Sequence, residues 1–428
     1  MVSGGTYGTE DIVHGAGYGR AILILLLTPI LWSLPTTFMI GELASALPEE
    51  GGYYAWVRRG MGNFWGFQEA WLSLAASIFD MAIYPALFIA YLDRLFPWFE
   101  AGHRGEYVGL AVIAACVLLN IAGVQLVSTT SFWLFIALSA PFAAIVVIAP
   151  FKHGSLLHIA AAQTSSHVTL IGGLIVCMWN YMGWDNASTI ASEVENPQRN
   201  YPRAMLLTVL IVALSYIIPV AAMRLTGLTP AAWETGSWAD IARMLGGPVL
   251  QVALVLGGMV SAFGMFNALV MSYSRLPLAM AEDGLLPRIF GWLHPRSRAP
   301  WVAILVLATG WAMCLGLGFE RLVTLDILIY GSSLALEFAA LVALRIREPQ
   351  LRRGFRVPGG LFGAIAIGAP MLMLIFSIVR SENERVWNMS SLTFGGVIIT
   401  TGIVIYFGST ILKTAMAAIS EEKTRPAS

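Results

Sequence analysis

The chain has 428 residues, of which 57% are hydrophobic and only 12% are charged, and its formal net charge is zero. A soluble domain carries roughly 25% charged residues, so this composition excludes a soluble globular protein and indicates one that crosses the bilayer many times. The balanced charge gives no indication of a polyanionic partner, and we expect no nucleic-acid binding.

The N-terminal apolar fragment is too short to cross a bilayer. Only about nine to fourteen residues precede a loop expected at 14–19, and a helix rises just 1.5 Å per residue. We interpret the fragment as the outer half of a discontinuous helix, with its break at Ser3, Gly4 and Gly5. Our expectation is therefore a first helix that is truncated at its N-terminus and lacks its inner half.

After this fragment, eleven apolar segments are long enough to span a membrane, which takes about 20 helical residues. They are 20–47, 65–92, 106–122, 128–150, 168–195, 203–223, 247–274, 300–318, 322–345, 359–379 and 391–412. Alternate loops place most of the 25 Lys and Arg residues on the side of the C-terminus. The positive-inside rule then predicts a cytoplasmic C-terminus, and we expect a multi-pass protein of the plasma (inner) membrane.

With the N-terminal fragment counted as the first span, the third span is 65–92. A polar stripe on this span recurs at steps of three or four and consists of Glu69, Ser73, Ser77, Asp80 and Tyr84. Such a stripe faces the interior of a helix bundle. Asp80 lies near mid-depth, where a carboxylate can neutralise a cationic amine or carry a proton, with Tyr84 as its hydroxyl partner. The alternative is a structural aspartate paired with an arginine or with backbone amides.

The segment 168–195 is interrupted, because its apolar run fails at Gly183, Trp184 and Asp185. A broken helix at membrane depth is tolerated where its free backbone groups line protein or a water-filled cavity, and an ionisable group there indicates a transport site. If the N-terminal fragment counts as the first span, the interrupted spans are the first and the sixth.

This spacing predicts two five-helix units, and because five is odd the second unit is inverted. We expect one transmembrane domain over 1–428, with the first repeat in 1–150, the inverted repeat in 168–346, two accessory helices in 359–412 and a tail in 413–428. The loops after the second and seventh spans carry aromatic residues that we interpret as headgroup anchors. These are Tyr53, Tyr54, Trp56, Trp233 and Trp238.

The tenth span carries Tyr330, Ser333 and Glu337 on one face. Glu337 lies well inside the apolar segment, so it is either a site residue or one half of an ion pair with an arginine such as Arg345. Asp326, near the start of the same span, is expected at the membrane interface.

Dispersed motifs along nearly the whole chain resemble the amino acid–polyamine–organocation transporter superfamily, within it the polyamine uptake and light-chain amino acid transporter branch. They are SGGTYGTED at 3–11, GELASALPEEGGYYAWV at 41–57, WGFQEAWLSL at 65–74, IFDMAIYP at 78–85, WDNASTIASEVENPQRNYPRAM at 184–205, SRLPLAMAEDGLLP at 274–287 and FRVPGG at 355–360. The resemblance implies a leucine-transporter-like fold. Substrate is then held between the interrupted helices and spans three, eight and ten, with proton or sodium coupling.

The resemblance also implies roles for individual residues. Ser3, Gly4 and Gly5 match glycines whose free amides hold a carboxylate, although a flexible tail is the alternative. Asp185 matches an acid of proton-coupled relatives, with a structural helix cap as the alternative. Further expected substrate contacts are Trp179, with Trp184 competing for the same role, and Asn186, Asn267, Tyr330, Ser333 and Glu337.

Asp80, Asp185 and Glu337 have no Lys or Arg at the same depth, which favours an organic cation as substrate. We therefore expect a transporter, not an enzyme, that imports polyamines or cationic amino acids by alternating access and has no cofactor. H⁺ is the expected coupling ion and Na⁺ the alternative. The other hypotheses are a neutral amino acid permease or exchanger, and a non-transporting membrane sensor or partner subunit. The sequence leaves oligomers and accessory subunits open.

Overall fold

A computed structural model of the chain describes residues 5–49, 51–99, 102–123, 128–152, 170–186, 188, 196–381, 385–386 and 389–424. The helices in these ranges are α1 (Glu10–Thr28), α2 (Leu34–Ala46), α3 (Tyr53–Met61), α4 (Asn63–Asp93), α5 (Arg104–Ala122), α6 (Ser128–Ile148), α7 (Leu170–Asn180), α8 (Pro197–Arg224), α9 (Trp238–Glu282), α10 (Trp301–Met313), α11 (Phe319–Arg347), α12 (Gly360–Ser381) and α13 (Ser391–Thr424). Two short strands, β1 (Arg385–Val386) and β2 (Met389–Ser390), pair antiparallel between α12 and α13.

The prediction of a helical, multi-pass membrane protein is confirmed. Each of the eleven predicted spans overlaps a helix, and the β1–β2 pair is the only sheet in the described part of the chain. Eight of the described helical segments are long and apolar enough to cross a membrane. Shorter apolar helices at Ile171–Asn180, Trp301–Leu317 and Gly360–Met373 accompany them.

Helices α1 and α9 are each interrupted by a glycine with a positive φ. In α1 the break is at Gly17 (φ 69°), inside the predicted loop at 14–19, and in α9 it is at Gly247 (φ 76°). Glycine adopts this backbone conformation without the steric cost that a Cβ atom would add. Each break separates a short helical piece from the helix that follows it, so the short piece need not cross the bilayer by itself.

Helices α4 and α11 lie at the centre of the molecule. Two thirds of the most apolar window in each is buried, against 11% for the corresponding window in α13. Exposed apolar side chains such as Leu23, Leu118 and Val249 lie on the surrounding helices, where a bilayer would cover them. Buried polar side chains of these two helices, such as Asp80 and Ser333, therefore face protein and not lipid.

The interpretation of the loop aromatics as headgroup anchors is wrong. Tyr53, Trp56, Trp233 and Trp238 are each fully buried in the protein core, and Tyr54 is 1% exposed. They fill space between helices rather than facing headgroups. The Trp56 indole N–H, for example, donates a hydrogen bond within the protein, to the carbonyl of Leu47 at 3.0 Å.

One end of the bundle, here called the Glu42 end, is held by a buried ion-pair network. Glu42 accepts hydrogen bonds from Arg345 and, at 2.7 Å, from the backbone N–H of Val357, and Arg353 Nε lies 3.0 Å from its Oε1. Because Arg345 pairs with Glu42, the ion pair considered between Arg345 and Glu337 is wrong.

A more exposed ion pair lies nearby at the same end. Arg59 donates to Glu348 at 2.8 and 3.0 Å. This hydrogen bond holds the pKa of the Glu348 carboxyl below its ordinary value.

Candidate functional site

Helix α7 ends inside the protein, at Asn180, three residues before Gly183. The carbonyl of Asn180 accepts a hydrogen bond from the Tyr216 hydroxyl at 3.0 Å, and the carbonyl of Tyr181 accepts one from the Trp184 indole at 2.6 Å. Side chains thus satisfy the carbonyls that a helix end leaves without helical partners. Trp184, predicted to contact substrate, supports the broken backbone in this structure.

The N-terminal segment before α1 lies against this helix end. The carbonyl of Gly8 accepts a hydrogen bond from the Asn180 side-chain amide at 3.1 Å. A Cβ atom on Gly8 would lie 3.3 Å from the ring of Trp179, so glycine permits the close approach. The segment that follows the predicted break at 3–5 therefore lies beside the end of α7.

Of the three residues predicted to offer backbone amides, only Gly5 is described. It has a φ of 65°, which a glycine adopts readily. Ser3 and Gly4 lie outside the described residues, so their predicted role stays a prediction.

Asp80 has a buried carboxylate that accepts three hydrogen bonds from described residues. Its donors are the Tyr84 hydroxyl (3.2 Å), the Trp179 indole N–H (3.2 Å) and the Tyr273 hydroxyl (3.1 Å). All three donors are neutral, so they orient the carboxylate without cancelling its charge. Helices α4, α7 and α9 each contribute to this arrangement.

Asp185 follows the end of α7 and faces α11. Its Oδ1 accepts a hydrogen bond of 2.6 Å from the Tyr330 hydroxyl. The next residue, Asn186, donates from its side-chain amide to the Tyr273 hydroxyl at 3.4 Å, and Tyr273 in turn bonds Asp80. A hydrogen-bonded path therefore joins the Asp185 segment to Asp80.

Polar side chains of α4 and α11 continue the cluster toward the Glu42 end. Ser73 Oγ lies 2.7 Å from Ser333 Oγ and donates to Glu69 Oε1, also at 2.7 Å. Glu337 is fully buried within electrostatic range of Glu69 and Asp185. Neither carboxylate oxygen of Glu337 has a hydrogen-bond partner among the described residues.

Asp326 corrects an expectation, because it is fully buried and does not lie at the membrane interface. It is within electrostatic range of Asp80 and Asp185, and neither of its oxygens has a hydrogen-bond partner in the described part of the chain. Its position could have been found from the sequence, since Asp326, Tyr330, Ser333 and Glu337 continue one helical face at steps of four, three and four.

Asn267 is predicted to contact substrate, and the structure shows its side chain bonded to a neighbouring helix. Its side-chain oxygen accepts a hydrogen bond of 2.9 Å from Asn120 on α5. On α9 it is Tyr273 that reaches Asp80, and the sequence offered no periodic signal for this tyrosine. Glu69 was recognised in the polar stripe of α4 but not as a site residue.

Five carboxylates thus converge between α4, α11 and the end of α7, each at most 2% exposed. They are Glu69, Asp80, Asp185, Asp326 and Glu337. In the part of the chain that the structure describes, none of the five lies within ion-pair distance of a Lys or Arg. Buried charges are ordinarily paired, so the arrangement calls for a cation or for protons.

At the end of the bundle opposite Glu42, here called the Arg94 end, a cavity of about 470 Å³ is lined by Asp11, Glu234, Phe319 and Glu320 among others. Arg94 closes part of its wall through ion pairs of 2.8 Å with Glu234 and Asp240. The Phe319 ring packs edge-on against Trp179, with the ring centroids 5.5 Å apart. These two rings lie between the cavity and Asp80.

Known proteins are similar in sequence to almost the whole chain. The profile of a family described as amino acid permease matches residues 1–407. The polyamine transporter RMV1 of Arabidopsis thaliana is 34% identical over 390 residues, which cover 90% of this chain and 79% of RMV1. The polyamine transporter PUT1 of Oryza sativa subsp. japonica is 34% identical over 388 residues, or 90% of this chain and 72% of PUT1.

A more distant relative is the serine/threonine exchanger SteT of Bacillus subtilis (strain 168). It is 26% identical over 396 residues, which cover 91% of this chain and 88% of SteT. The family match and these relatives identify a transporter and not an enzyme. The chain is a multi-pass membrane protein that belongs to the amino acid permease family.

Proposed function

We propose that this transporter imports polyamines or cationic amino acids by alternating access and that it is coupled to protons. The observation that carries the proposal is the set of five buried carboxylates without a basic partner among the described residues. An organic cation supplies the missing charge, whereas an anionic substrate would be repelled. The names of RMV1 and PUT1 as polyamine transporters support the same substrate class.

The fold we propose is the leucine-transporter-like arrangement, with a first five-helix repeat in 1–150, an inverted repeat in 168–346, accessory helices in 359–412 and a tail in 413–428. The contact between Gly8, which follows the predicted break at 3–5, and Asn180 at the end of α7 supports this arrangement, because both predicted breaks then flank one site. The charge distribution supports a C-terminus in the cytoplasm, and the location that we propose is the plasma membrane. The Arg94 end then faces outward.

In this proposal Asp80 binds an ammonium group of the substrate, and Tyr84 and Tyr273 orient its carboxylate. Trp179 forms one wall and, with Phe319, closes the site from the outer cavity. For an amino acid substrate, the backbone near Ser3, Gly4 and Gly5 would hold the carboxylate. Four residues line the side toward the cytoplasm: Tyr330, Ser333, Asn186 and Glu337. Trp184 supports the chain there. A substrate contact of Asn267 stays part of the proposal, with its side-chain oxygen held by Asn120.

Asp185 is the group we propose for proton coupling. Among the described residues Tyr330 is its hydroxyl donor, and it lies within electrostatic range of the other four acids. A bound cation favours its ionised form and departure of the cation favours its protonated form, so occupancy by substrate and by proton are linked. H⁺ needs no dedicated coordination shell, and Na⁺ remains the alternative coupling ion.

Uptake into proteoliposomes tests the proposal. Labelled putrescine, spermidine and arginine are offered with an imposed pH gradient, acidic outside, and with a Na⁺ gradient as the comparison. We expect saturable uptake of at least one of these cations that the pH gradient accelerates. Saturable uptake of neutral amino acids alone would reject the cation proposal, and uptake driven only by Na⁺ would reject the proton.

A further inference from the structure

Helices α4 and α11 run antiparallel and place their acids opposite one another. The contact between Ser73 and Ser333 fixes the alignment of the two helices. Four residues toward the Glu42 end, Glu69 faces Glu337, and seven residues toward the Arg94 end, Asp80 faces Asp326. The buried carboxylates therefore form two pairs.

The two pairs are separated by the same number of residues on each helix. Asp80 comes eleven residues after Glu69, and Glu337 comes eleven residues after Asp326. With a rise of 1.5 Å per residue, the pairs are about 16 Å apart along the helix axes. Asp185 lies between them, within electrostatic range of both pairs.

The pair at the Glu42 end belongs to a group of buried polar side chains that we call the second acid site, comprising Tyr53, Glu69 and Glu337. All three are fully buried, and within the described ranges the Tyr53 hydroxyl, Glu69 Oε2 and both Glu337 oxygens have no hydrogen-bond partner. Tyr53 is within electrostatic range of both glutamates. Buried polar atoms almost always have hydrogen-bond partners. A group of such atoms without partners therefore points to a ligand that donates hydrogen bonds.

A further buried hydroxyl, that of Ser188, lies at the N-terminus of α3 close to this site. A Cβ atom on Gly52 would overlap Ser188, so the glycine lets the backbone of the Asp185 segment pack directly on α3. The Ser188 hydroxyl is buried and also has no partner among the residues that the structure describes.

We propose that the second acid site binds the far ammonium group of a linear polyamine whose near end lies at Asp80 and Asp326. Asp185 then faces the middle of the chain, and the transporter selects polyamines by length. This inference rests on the function proposed above.

The spacing of the pairs sets the length that fits. An extended chain advances roughly 1.3 Å per bond for bonds near 1.5 Å, so about 12 bonds between the terminal nitrogens bridge the two pairs. A tetraamine such as spermine has about this length, and its inner ammonium groups meet Asp185. A short diamine such as putrescine is less than half as long between its terminal nitrogens, so it occupies one pair at a time.

A chain-length series tests the inference on the unmodified protein. The protein is placed in lipid nanodiscs, and 1,3-diaminopropane, putrescine, 1,8-diaminooctane, spermidine and spermine compete with labelled spermine in a scintillation proximity assay. We expect spermine to bind at least about tenfold more tightly than putrescine, since the second pair adds a charge-assisted contact. Equal affinities for putrescine and spermine would overturn the inference.

Two isosteric variants test which residues provide the preference. Glu69→Gln and Glu337→Gln should each lower the ratio of spermine to putrescine affinity by about tenfold. Glu106→Gln, at an exposed position of α5, is the matched control and should leave the ratio unchanged. A ratio that is unchanged in both site variants would overturn the inference.

The outcomes separate this inference from the proposed function. If no polyamine and no cationic amino acid binds or is transported, the proposed function fails. If putrescine and spermine are transported with no length preference, the function stands and the length inference fails. Should either glutamine variant not fold, the chain-length series on the unmodified protein decides alone.

Discussion

At the scale of single residues, Asp80 is defined by what surrounds it. Tyr84, Trp179 and Tyr273 donate hydrogen bonds at 3.1–3.2 Å, and none of them carries a charge. A carboxylate positioned by neutral donors keeps its full attraction for a cation. We therefore expect that removing one donor weakens substrate binding without removing it.

Tyr273→Phe is the most informative of these changes, because it deletes one donor and keeps the ring. A hydrogen bond to a charged group contributes about 1.5–3 kcal/mol, so the substrate affinity should fall roughly tenfold to a hundredfold. Binding of labelled spermidine to the purified protein measures the effect. Tyr107→Phe, at a position that is 69% exposed, is the matched control. Unchanged affinity in Tyr273→Phe would show that Asp80 does not hold the ammonium group.

Asp185→Asn tests the coupling group. With an acidic exterior the proton gradient points inward, so uptake by the unmodified protein should rise as the external pH falls. Asparagine cannot take up a proton, and we expect uptake by the variant to be insensitive to external pH while exchange of substrate is partly retained. Proteoliposome uptake across a series of external pH values measures this. A pH response that survives the substitution would exclude Asp185 as the coupling group.

The contact of Asp80 with Tyr84, which the sequence predicted, lies within one helix, whereas its contact with Tyr273, which the sequence did not predict, joins two helices. Asp80 and Tyr84 were predicted as partners because they lie one turn apart on one helix, and periodicity reports such neighbours. Tyr273 reaches Asp80 from another helix, and no local pattern in α9 records that contact. Asp326 shares the face of Glu337, but its closeness to the start of the span suggested the interface, whereas the packed helices bury it.

At the scale of elements, the end of α7 depends on groups from other parts of the chain. Its carbonyls are satisfied by Tyr216 on α8 and by Trp184 in the following segment. The sequence indicated the interruption through Gly183, but α7 ends at Asn180, where hydrogen bonds from the Tyr216 and Trp184 side chains replace helical ones before the glycine is reached. The helices themselves were predictable, because a membrane span is recognised from the length and composition of its apolar segment alone.

The loop aromatics show the limit of that reasoning. Aromatic residues near a predicted membrane boundary are typical of interfacial anchors, yet Trp233 and Trp238 pack against each other in the core, with ring centroids 4.7 Å apart. Composition places such residues near a boundary, and only the fold decides whether protein or headgroups surround them.

The buried ion-pair network around Glu42 should stabilise the packing of the helices. Glu42→Gln leaves the buried Arg345 without its charged partner, and breaking a buried pair in this way costs about 3–5 kcal/mol. The thermal unfolding midpoint in detergent should therefore fall clearly. Glu348→Gln breaks the exposed pair with Arg59 and should cost less than about 1 kcal/mol. Equal midpoints for both variants would contradict a structural role of the buried network.

At the scale of the whole molecule, alternating access requires that the two ends of the bundle face opposite sides of the membrane. The cavity at the Arg94 end reaches Phe319, which covers Trp179 and, behind it, Asp80. The Glu42 end is closed by ion pairs, including one between Arg58 and Asp283. The proposed orientation assigns the cavity to the outside.

Cysteine accessibility tests this orientation. The native Cys116, Cys177 and Cys314 are buried, so background labelling should be low. Glu320→Cys should react with a membrane-impermeant maleimide in intact cells, and Glu282→Cys only in inverted vesicles. The reverse pattern would place the cavity in the cytoplasm and would contradict the proposed direction of access.

The most direct test of the proposed binding site is a cryo-EM structure of the protein in lipid nanodiscs with spermidine bound. We expect elongated ligand density between α4 and α11, bounded by Asp80 on one side and Asp185 on the other, with α7 ending before Gly183. A continuous helix through Gly183, or ligand density away from these carboxylates, would contradict the proposal.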